Sequence, residues 1–233
     1  MFNQDIMLLA GTAATIGFVH TALGPDHYLP FIFMAKARKW SIFKTSWITF
    51  LCGIGHVGSS VLLGIIGFAF GIALSKLEFF EGFRGDMAAW AFVLFGLGYF
   101  TWGLWRALSN RPHRHKHLHA DGTYHEHKHT HSNQHDHVHK KNITPWILFI
   151  IFVLGPCEPL IPILMYPAAE SSTAGMIFIA VLFSVVTVAT MMTIVLLATY
   201  GIKFINLGKL ERFSHALAGG IVLLSGVAIL MGL

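Results

Sequence analysis

The stretch HTALGPDHYLPF, His20 to Phe31, places two histidines and an aspartate around a Gly-Pro pair inside a long apolar segment. The run IMLLAGTAATIGFV precedes it, and the stretch continues into FIFMA. Pro25 has no backbone N–H, and its ring clashes with the carbonyl of Thr21, four residues earlier. A helix that includes Thr21 is therefore expected to break at Pro25. The stretch therefore predicts a broken helix that carries ionisable side chains.

The composition identifies the surroundings of this helix as a membrane. Of the 233 residues, 55% are hydrophobic and only 12% are charged, which a water-soluble globule with a polar surface cannot accommodate. A membrane-spanning helix needs roughly 20 apolar residues, whereas a membrane β-barrel needs alternating apolar and polar positions, which these runs lack. We predict an all-α integral membrane protein with six transmembrane helices. The apolar windows cover about 6–35, 45–75, 87–105, 142–169, 171–202 and 213–233.

The orientation follows from the basic residues of the short loops. Lys and Arg are concentrated after the first, third and fifth predicted helices, whereas the loops after the second and fourth have a net negative charge. Basic loops remain in the cytosol, so we expect both termini outside, in a prokaryotic plasma (inner) membrane. The N-terminus MFNQD lacks the basic region of a signal peptide, which predicts an uncleaved first helix. The net charge of +5 then reflects topology, and we expect no nucleic-acid partner.

The two halves of the chain contain a related segment. LGPDHYLPF in the first span matches LGPCEPLIP in the fourth, and this alignment pairs Asp26 with Cys157 and His27 with Glu158. Because each half has an odd number of spans, the second half would be inverted, as in secondary transporters with broken helices. We predict a 3+3 inverted repeat with broken helices 1 and 4. Its parts are a first repeat at 1–110, a cytosolic His-rich loop at 111–141 and a second repeat at 142–233.

Ionisable and thiol side chains in or beside the breaks suggest a cation site near the middle of the membrane. A charged residue there costs at least ~2.5 kcal/mol on insertion scales, so such groups are retained for a function. Imidazole and thiol ligands favour a late transition metal over Mg²⁺ or Ca²⁺. A histidine that simply bonds to a neighbouring helix, and a proton pathway through Asp26, His27 and Glu158, remain alternatives. The predicted metal ligands are His20, Asp26, His27, His56, Cys157 and Glu158.

HTALGPDHYLPF, together with GIGHVGSS and the His-rich loop, resembles the NicO-type nickel/cobalt transporters and the related UreH-like and TauE/SafE-like membrane proteins. The resemblance implies that His20, Asp26 and His27 recognise the metal. The expected function is a secondary transporter or facilitator of Ni²⁺ or Co²⁺, with Zn²⁺ or Fe²⁺ as other possible substrates and no permanently bound cofactor. No nucleotide-binding, nucleophile-elbow or zinc-hydrolase motif occurs in the sequence, so we do not expect an enzyme.

GPCEPLIPILMYP carries a second resemblance, to the thiol-disulfide carriers of cytochrome c biogenesis, which also have six spans in two inverted halves. This resemblance implies an electron carrier centred on Cys157, which we keep as the alternative function. Those carriers exchange electrons between one cysteine in each half. Here the counterpart of Cys157 is Asp26, and the second cysteine, Cys52, lies elsewhere.

The loop between the third and fourth predicted helices is rich in histidine at alternating positions. Its composition is too polar to form a core, so we expect it to be disordered without metal and to act as a metal buffer or sensor. A solvated linker is the alternative. Besides the metal ion and the lipid bilayer, a cytosolic metallochaperone or a second copy of the chain are the expected partners. The loop histidines are His113, His115, His117, His119, His125, His127, His129, His131, His135, His137 and His139.

Overall fold

The computed structural model describes residues 4–109, 113–118, 124–129, 143–157, 159–169, 173–202, 204 and 208–232. Eight helices and two strands follow one another along these residues. In chain order they are α1 (Gln4–Leu23), α2 (Leu29–Arg38), α3 (Ile42–Ala69), α4 (Leu74–Ser109), β1 (His113–Leu118), β2 (Tyr124–His129), α5 (Thr144–Leu154), α6 (Leu160–Ala169), α7 (Thr173–Ile202) and α8 (Ser214–Leu230). Two 3-10 turns, Pro25–His27 and Gly208–Phe213, precede α2 and α8.

Five helical segments are long and apolar enough to cross a membrane: α1, α3, α4, α7 and Leu210–Leu230, which contains α8. Many large apolar side chains on them are exposed, such as Leu8, Leu94 and Leu197. An exposed apolar surface of this extent is stable in lipid rather than in water. The structure therefore confirms the prediction of a helical integral membrane protein.

The break predicted at Pro25 is present. α1 ends at Leu23, a single 3-10 turn covers Pro25–His27, and the helix resumes at Leu29. The N–H of Gly24 still donates to the carbonyl of His20 at 2.9 Å, so the first helix keeps its hydrogen bonds up to the break. The interruption is thus confined to the turn around Asp26 and His27, and the helix before it stays intact.

A second break separates α5 from α6 at the related segment. The N–H of Gly155 donates to the carbonyl of Ile151 at 2.9 Å, and the next helical bond runs from Leu160 back to Cys157, also at 2.9 Å. α5 and α6 have 11 and 10 residues, so each is too short to span the membrane alone. Both Gly-Pro segments therefore interrupt helices.

α4 is longer than the sequence predicted. The segment KLEFFEGFRGD, which we expected to be a loop, belongs to this 36-residue helix, whose length of about 54 Å exceeds the hydrocarbon thickness. The physical reason is that Glu81 and Arg84, three residues apart, form an ion pair and need not reach water. The two charged side chains therefore remain on the helix instead of ending it.

α4 and α8 pack through glycines. A Cβ atom on Gly96 or Gly219 would collide with the backbone of the facing helix, at Leu223 and Phe100 respectively. Small residues of this kind let helix backbones approach closely in membranes. Ile229, near the end of α8, and Gly232, just after it, line a cavity described below.

The buried apolar side chains form two clusters. One contains Phe31, Cys52 and Phe152, with the Phe31 and Phe152 rings 4.6 Å apart. The other, built around Phe183, contains Cys157. The two cysteines are therefore buried in different clusters.

Part of the His-rich loop is described as paired strands. β1 and β2 are antiparallel, with the Cα partners His113 and His129, His115 and His127, and His117 and His125 in register. His119, His131, His135, His137 and His139 lie outside the described residues. The expectation that the loop is disordered without metal, and that it buffers metal, stays a prediction.

Candidate functional site

Three of the predicted residues, His20, His27 and His56, converge from three different elements. His20 lies in the last turn of α1, His27 ends the 3-10 turn and His56 lies midway along α3. The ring centroids are 4.8 Å apart for His20 and His27 and 5.0 Å apart for His27 and His56, with nearly perpendicular planes. One ring nitrogen from each histidine lies within 4.8 Å of the other two. Such a group can hold a metal ion.

The Nε2 atoms of these three histidines are buried and have no hydrogen-bond partner among the described residues. His27 and His56 are each only 4% exposed. A buried polar atom without a partner lowers the stability of the folded protein by about 1–3 kcal/mol. Three such atoms in one small region are therefore clearly destabilising. An arrangement of this kind is expected where a ligand supplies the missing interaction.

The other ring nitrogens of two histidines are already engaged. His27 Nδ1 lies 3.1 Å from Asp26 Oδ1 and 3.2 Å from the Gly24 carbonyl. Both neighbours accept hydrogen bonds, so the proton belongs on Nδ1 and the Nε2 lone pair is available. The first break thus supplies a carboxylate that orients its own histidine.

His56 is oriented by the second break. Its Nδ1 lies 3.4 Å from the carbonyl of Phe152, which is the carbonyl that Pro156 leaves without a helical donor. An Nδ1–H that donates to this oxygen again leaves Nε2 with a lone pair. The close approach of Gly155, whose added Cβ would lie 3.3 Å from His56 Nδ1, leaves little room for another side chain.

A cavity of about 380 Å³ joins the two breaks. The three histidines and Asp26 form part of its wall, and Gly155 and Pro156 form another part. The remaining lining is mainly apolar, with Phe92 and Ile151. The cavity is therefore a mostly apolar chamber with one group of nitrogen and oxygen atoms.

Cys157 is held outside this chamber. Its side chain is fully buried in the second apolar cluster and does not line the cavity. The backbone N–H of Cys157 donates to Ser60 Oγ at 3.1 Å, and Ser60 Oγ donates to Glu81 Oε2 at 3.1 Å. α3 and α4 together hold the second break.

Arg84 completes this hydrogen-bond network. It pairs with Glu81, and its Nη2 atom donates to the carbonyls of Val153, at 2.9 Å, and Gly155, at 3.5 Å. The same Nη2 lies 2.5 Å from Ser59 Oγ. Carbonyls at an interrupted helix need donors inside a membrane, and the guanidinium supplies them.

Glu81 and Arg84 are not among the predicted site residues, because their segment was expected to be an outer loop. A signal was present: a carboxylate and a guanidinium three residues apart, flanked by phenylalanines in FFEGFRG, fit one helix face. Of the predicted site residues, the structure brings His20, Asp26, His27 and His56 together at the cavity. It places Cys157 in the adjacent apolar cluster, and Glu158 lies outside the described residues.

The family of the chain is shown by comparison with known proteins. The sequence family of the transmembrane region of cytochrome c biogenesis proteins matches the chain over residues 28–228. This range covers most of the chain, so the protein belongs to that family. No curated protein and no solved structure matches the chain.

This finding corrects the main functional prediction. The resemblance to NicO-type, UreH-like and TauE/SafE-like proteins is wrong, and so is the nickel or cobalt transporter inferred from it, because the matching family is that of cytochrome c biogenesis. The family match favours the alternative, a thiol-disulfide carrier. The match begins at Tyr28, so it contains His56 and Cys157 but not residues 20–27, which are part of the stretch HTALGPDHYLPF that carried the misleading resemblance.

Proposed function

We propose that this protein carries reducing equivalents across the membrane by thiol-disulfide exchange, with Cys157 as the reacting thiol. The observation that carries the proposal is the position of Cys157 directly after the Pro156 break, in a chain of the cytochrome c biogenesis transmembrane family. A proline break frees the following residues from the helical hydrogen bonds. The thiol therefore belongs to a segment that can open without unfolding a whole helix.

Cys157 works in this proposal without an intramolecular disulfide. Its backbone N–H binds Ser60, whereas Cys52 lies eight residues earlier on α3, about 12 Å along the helix axis. The Cα atoms of a disulfide lie about 4.4–6.8 Å apart, and the two thiols, which are not joined in a disulfide, belong to different clusters. This separation supports a relay through one cysteine.

The exchange then requires two partner proteins, a disulfide acceptor and a dithiol donor. The Cys157 thiolate attacks the acceptor disulfide, which breaks the S–S bond and forms a mixed disulfide, and the departing acceptor thiolate takes a proton. A donor thiolate next attacks the Cys157 sulfur and releases the acceptor as a dithiol. The second donor thiol attacks its neighbouring sulfur, forms the donor disulfide and returns Cys157 to a thiol. Two electrons and two protons pass from donor to acceptor.

The closed position of the second break regulates access to the thiol. Because the Cys157 side chain is fully buried, a partner reaches it only after the segment between α5 and α6 moves. Ser60 and Arg84 hold this segment through its N–H and carbonyl groups. Breaking these polar contacts is the cost of each opening.

The test reconstitutes the full chain in vesicles that enclose a protein disulfide, with a membrane-impermeant dithiol outside. We expect the wild type and Cys52→Ser to reduce the enclosed disulfide, and Cys157→Ser to be inactive. A mixed disulfide at Cys157, trapped by rapid alkylation and found by mass spectrometry, is the second expected result. Equal loss in both cysteine variants would exclude the single-thiol relay, and activity in Cys157→Ser would exclude Cys157 as the reacting group.

The number of membrane crossings and the orientation of the chain are also part of this proposal. α5 and α6 together would form one interrupted crossing, as α1 and α2 would, and the chain would then have six crossings in two inverted halves. Both termini would then lie outside and the His-rich loop in the cytosol of a prokaryotic cell. Impermeant labelling of single cysteines introduced at residue 3 and at residue 121 in intact cells tests this orientation. We expect label only at residue 3, and the reverse pattern would overturn the orientation.

A further inference from the structure

We propose that His20, His27 and His56 form a binding site for one resident late transition-metal ion, held through a nitrogen of each ring. This site does not rest on the thiol relay, because none of the three side chains takes part in it. Three observations carry the proposal: the convergence of one nitrogen from each ring within 4.8 Å, the unpartnered Nε2 atoms among the described residues, and the adjoining cavity.

The second nitrogen of the buried rings is arranged as it is in known metal sites. A metal-binding histidine generally donates its other N–H to a carboxylate or a backbone carbonyl, which fixes the ring and its tautomer. His27 meets Asp26, and His56 meets the Phe152 carbonyl. Asp26 is therefore a positioning residue in this site, rather than the direct ligand that the sequence predicted.

The dimensions fit a three-histidine site after a contraction. Imidazole nitrogens bind Zn²⁺ at about 2.0–2.1 Å, so two ligands of one tetrahedral ion lie about 3.3–3.4 Å apart. The present separations of up to 4.8 Å therefore need to shorten, by up to about 1.5 Å for this geometry. Because the rings come from α1, the 3-10 turn and α3, the contraction would tie these elements together.

The ligand type selects the ion. Neutral imidazoles suit zinc, copper, iron, cobalt and nickel, whereas magnesium and calcium need shells of oxygen atoms. Three protein ligands leave a fourth position open, and the cavity of about 380 Å³ has room for a small ligand at it. The ion would be a fixed component of the protein, which distinguishes the site from the transport path rejected above.

The alternative is that the three rings only pack against one another, edge to face. Such contacts stabilise aromatic pairs, but they leave all three Nε2 atoms without a hydrogen bond to any residue that the structure describes. The two interpretations differ in a measurable way, because only the metal site predicts a tightly bound ion that depends on all three rings.

The experiment measures metal binding by the full chain in lipid nanodiscs, after chelator treatment and return to buffer. Zn²⁺ is titrated against a chromophoric chelator, and Co²⁺ is titrated in parallel because its visible absorption is intense only in a tetrahedral or similar site. We expect one tight equivalent above the weaker binding of the His-rich loop, together with the intense Co²⁺ bands. His20→Gln and His27→Gln should lose that equivalent and those bands, while the binding to the loop remains.

His215→Gln is the matched control, since His215 also lies in the membrane part and bonds to Tyr99 at a distance of 2.7 Å, outside the cluster. It should keep the tight equivalent, as should Cys157→Ser, which separates this proposal from the thiol relay. Asp26→Asn should keep the site but weaken it about 10- to 100-fold, as expected for a group that orients a ligand. If His27→Gln does not fold, His20→Gln decides, because that side chain is only partly buried. Wild type and His20→Gln with the same tight binding and the same Co²⁺ spectrum would overturn the proposal.

Discussion

The two Gly-Pro breaks have almost the same local sequence but different chemical surroundings. The first presents Asp26 and His27 to a cavity, whereas the second buries Cys157 among apolar side chains and holds its backbone through Ser60 and Arg84. The first break exposes ligand atoms to a shared chamber, and the second keeps a thiol away from it. A helix break thus determines where a polar group can lie, whereas the packing of the neighbouring helices determines whether that group lines the cavity or is buried.

The largest expected effect concerns the ion pair that holds the second break. Arg84→Met removes the donors to the Val153 and Gly155 carbonyls and leaves the Glu81 carboxylate buried without its cation. Removing one partner of a buried ion pair costs about 3–5 kcal/mol, and we expect a loss of stability of that size. Denaturant unfolding in detergent micelles, followed by tryptophan fluorescence, measures it.

A double-mutant cycle provides the control for this prediction. Glu81→Gln combined with Arg84→Met should be less destabilised than the sum of the two single variants, because neither charge is then left alone. Additive single effects would show that the pair does not act as a unit. No comparable ion pair is expected to support the first break, where Asp26 faces a histidine.

The glycines of the two breaks give a direct comparison. An added Cβ would lie 2.6 Å from His27 Nδ1 at Gly24, but 3.3 Å from His56 Nδ1 at Gly155. Gly24→Ala should therefore displace His27 and cost about 1–3 kcal/mol, as overpacking does, whereas Gly155→Ala should cost less. Thermal unfolding of the two variants tests this order. Equal destabilisation would show that the first break adapts as readily as the second.

The features of the site that the sequence predicted are those whose physical cause lies within a short stretch of the chain. The break at Pro25 and the grouping of His20, His27 and His56 could be predicted, because a missing N–H and the cost of burying polar groups are properties of single residues. The role of Arg84 could not, because it depends on the packing of α4 against the second break. Residues 20–27 could not indicate the family, since its match covers 28–228. The segment GPCEPLIPILMYP, which carried the second resemblance, lies inside this range.

The backbone contact of Cys157 predicts a smaller effect. Ser60→Ala removes the acceptor of the Cys157 N–H and a donor to Glu81, and an unsatisfied buried group costs about 1–3 kcal/mol. The second break should open more often, so a membrane-permeant maleimide should modify Cys157 faster than in the wild type. Ser184→Ala is the control, because Ser184 bonds only within its own helix, to the Ala180 carbonyl among the described residues. An unchanged rate in Ser60→Ala would show that this contact does not keep the break closed.

The smallest expected effect links the two breaks. His56 Nδ1 contacts the Phe152 carbonyl at the end of α5, so a metal ion that fixes His56 should also steady the segment that carries Cys157. A hydrogen bond contributes about 0.5–1.5 kcal/mol, and saturating Zn²⁺ should therefore slow the modification of Cys157 about two- to tenfold. The maleimide rate with and without Zn²⁺ measures this, with His20→Gln as the variant in which protection should disappear. Protection that persists in His20→Gln would place the responsible ion elsewhere, for example in the His-rich loop. No protection in a wild type that binds the ion tightly would show that the two breaks move independently.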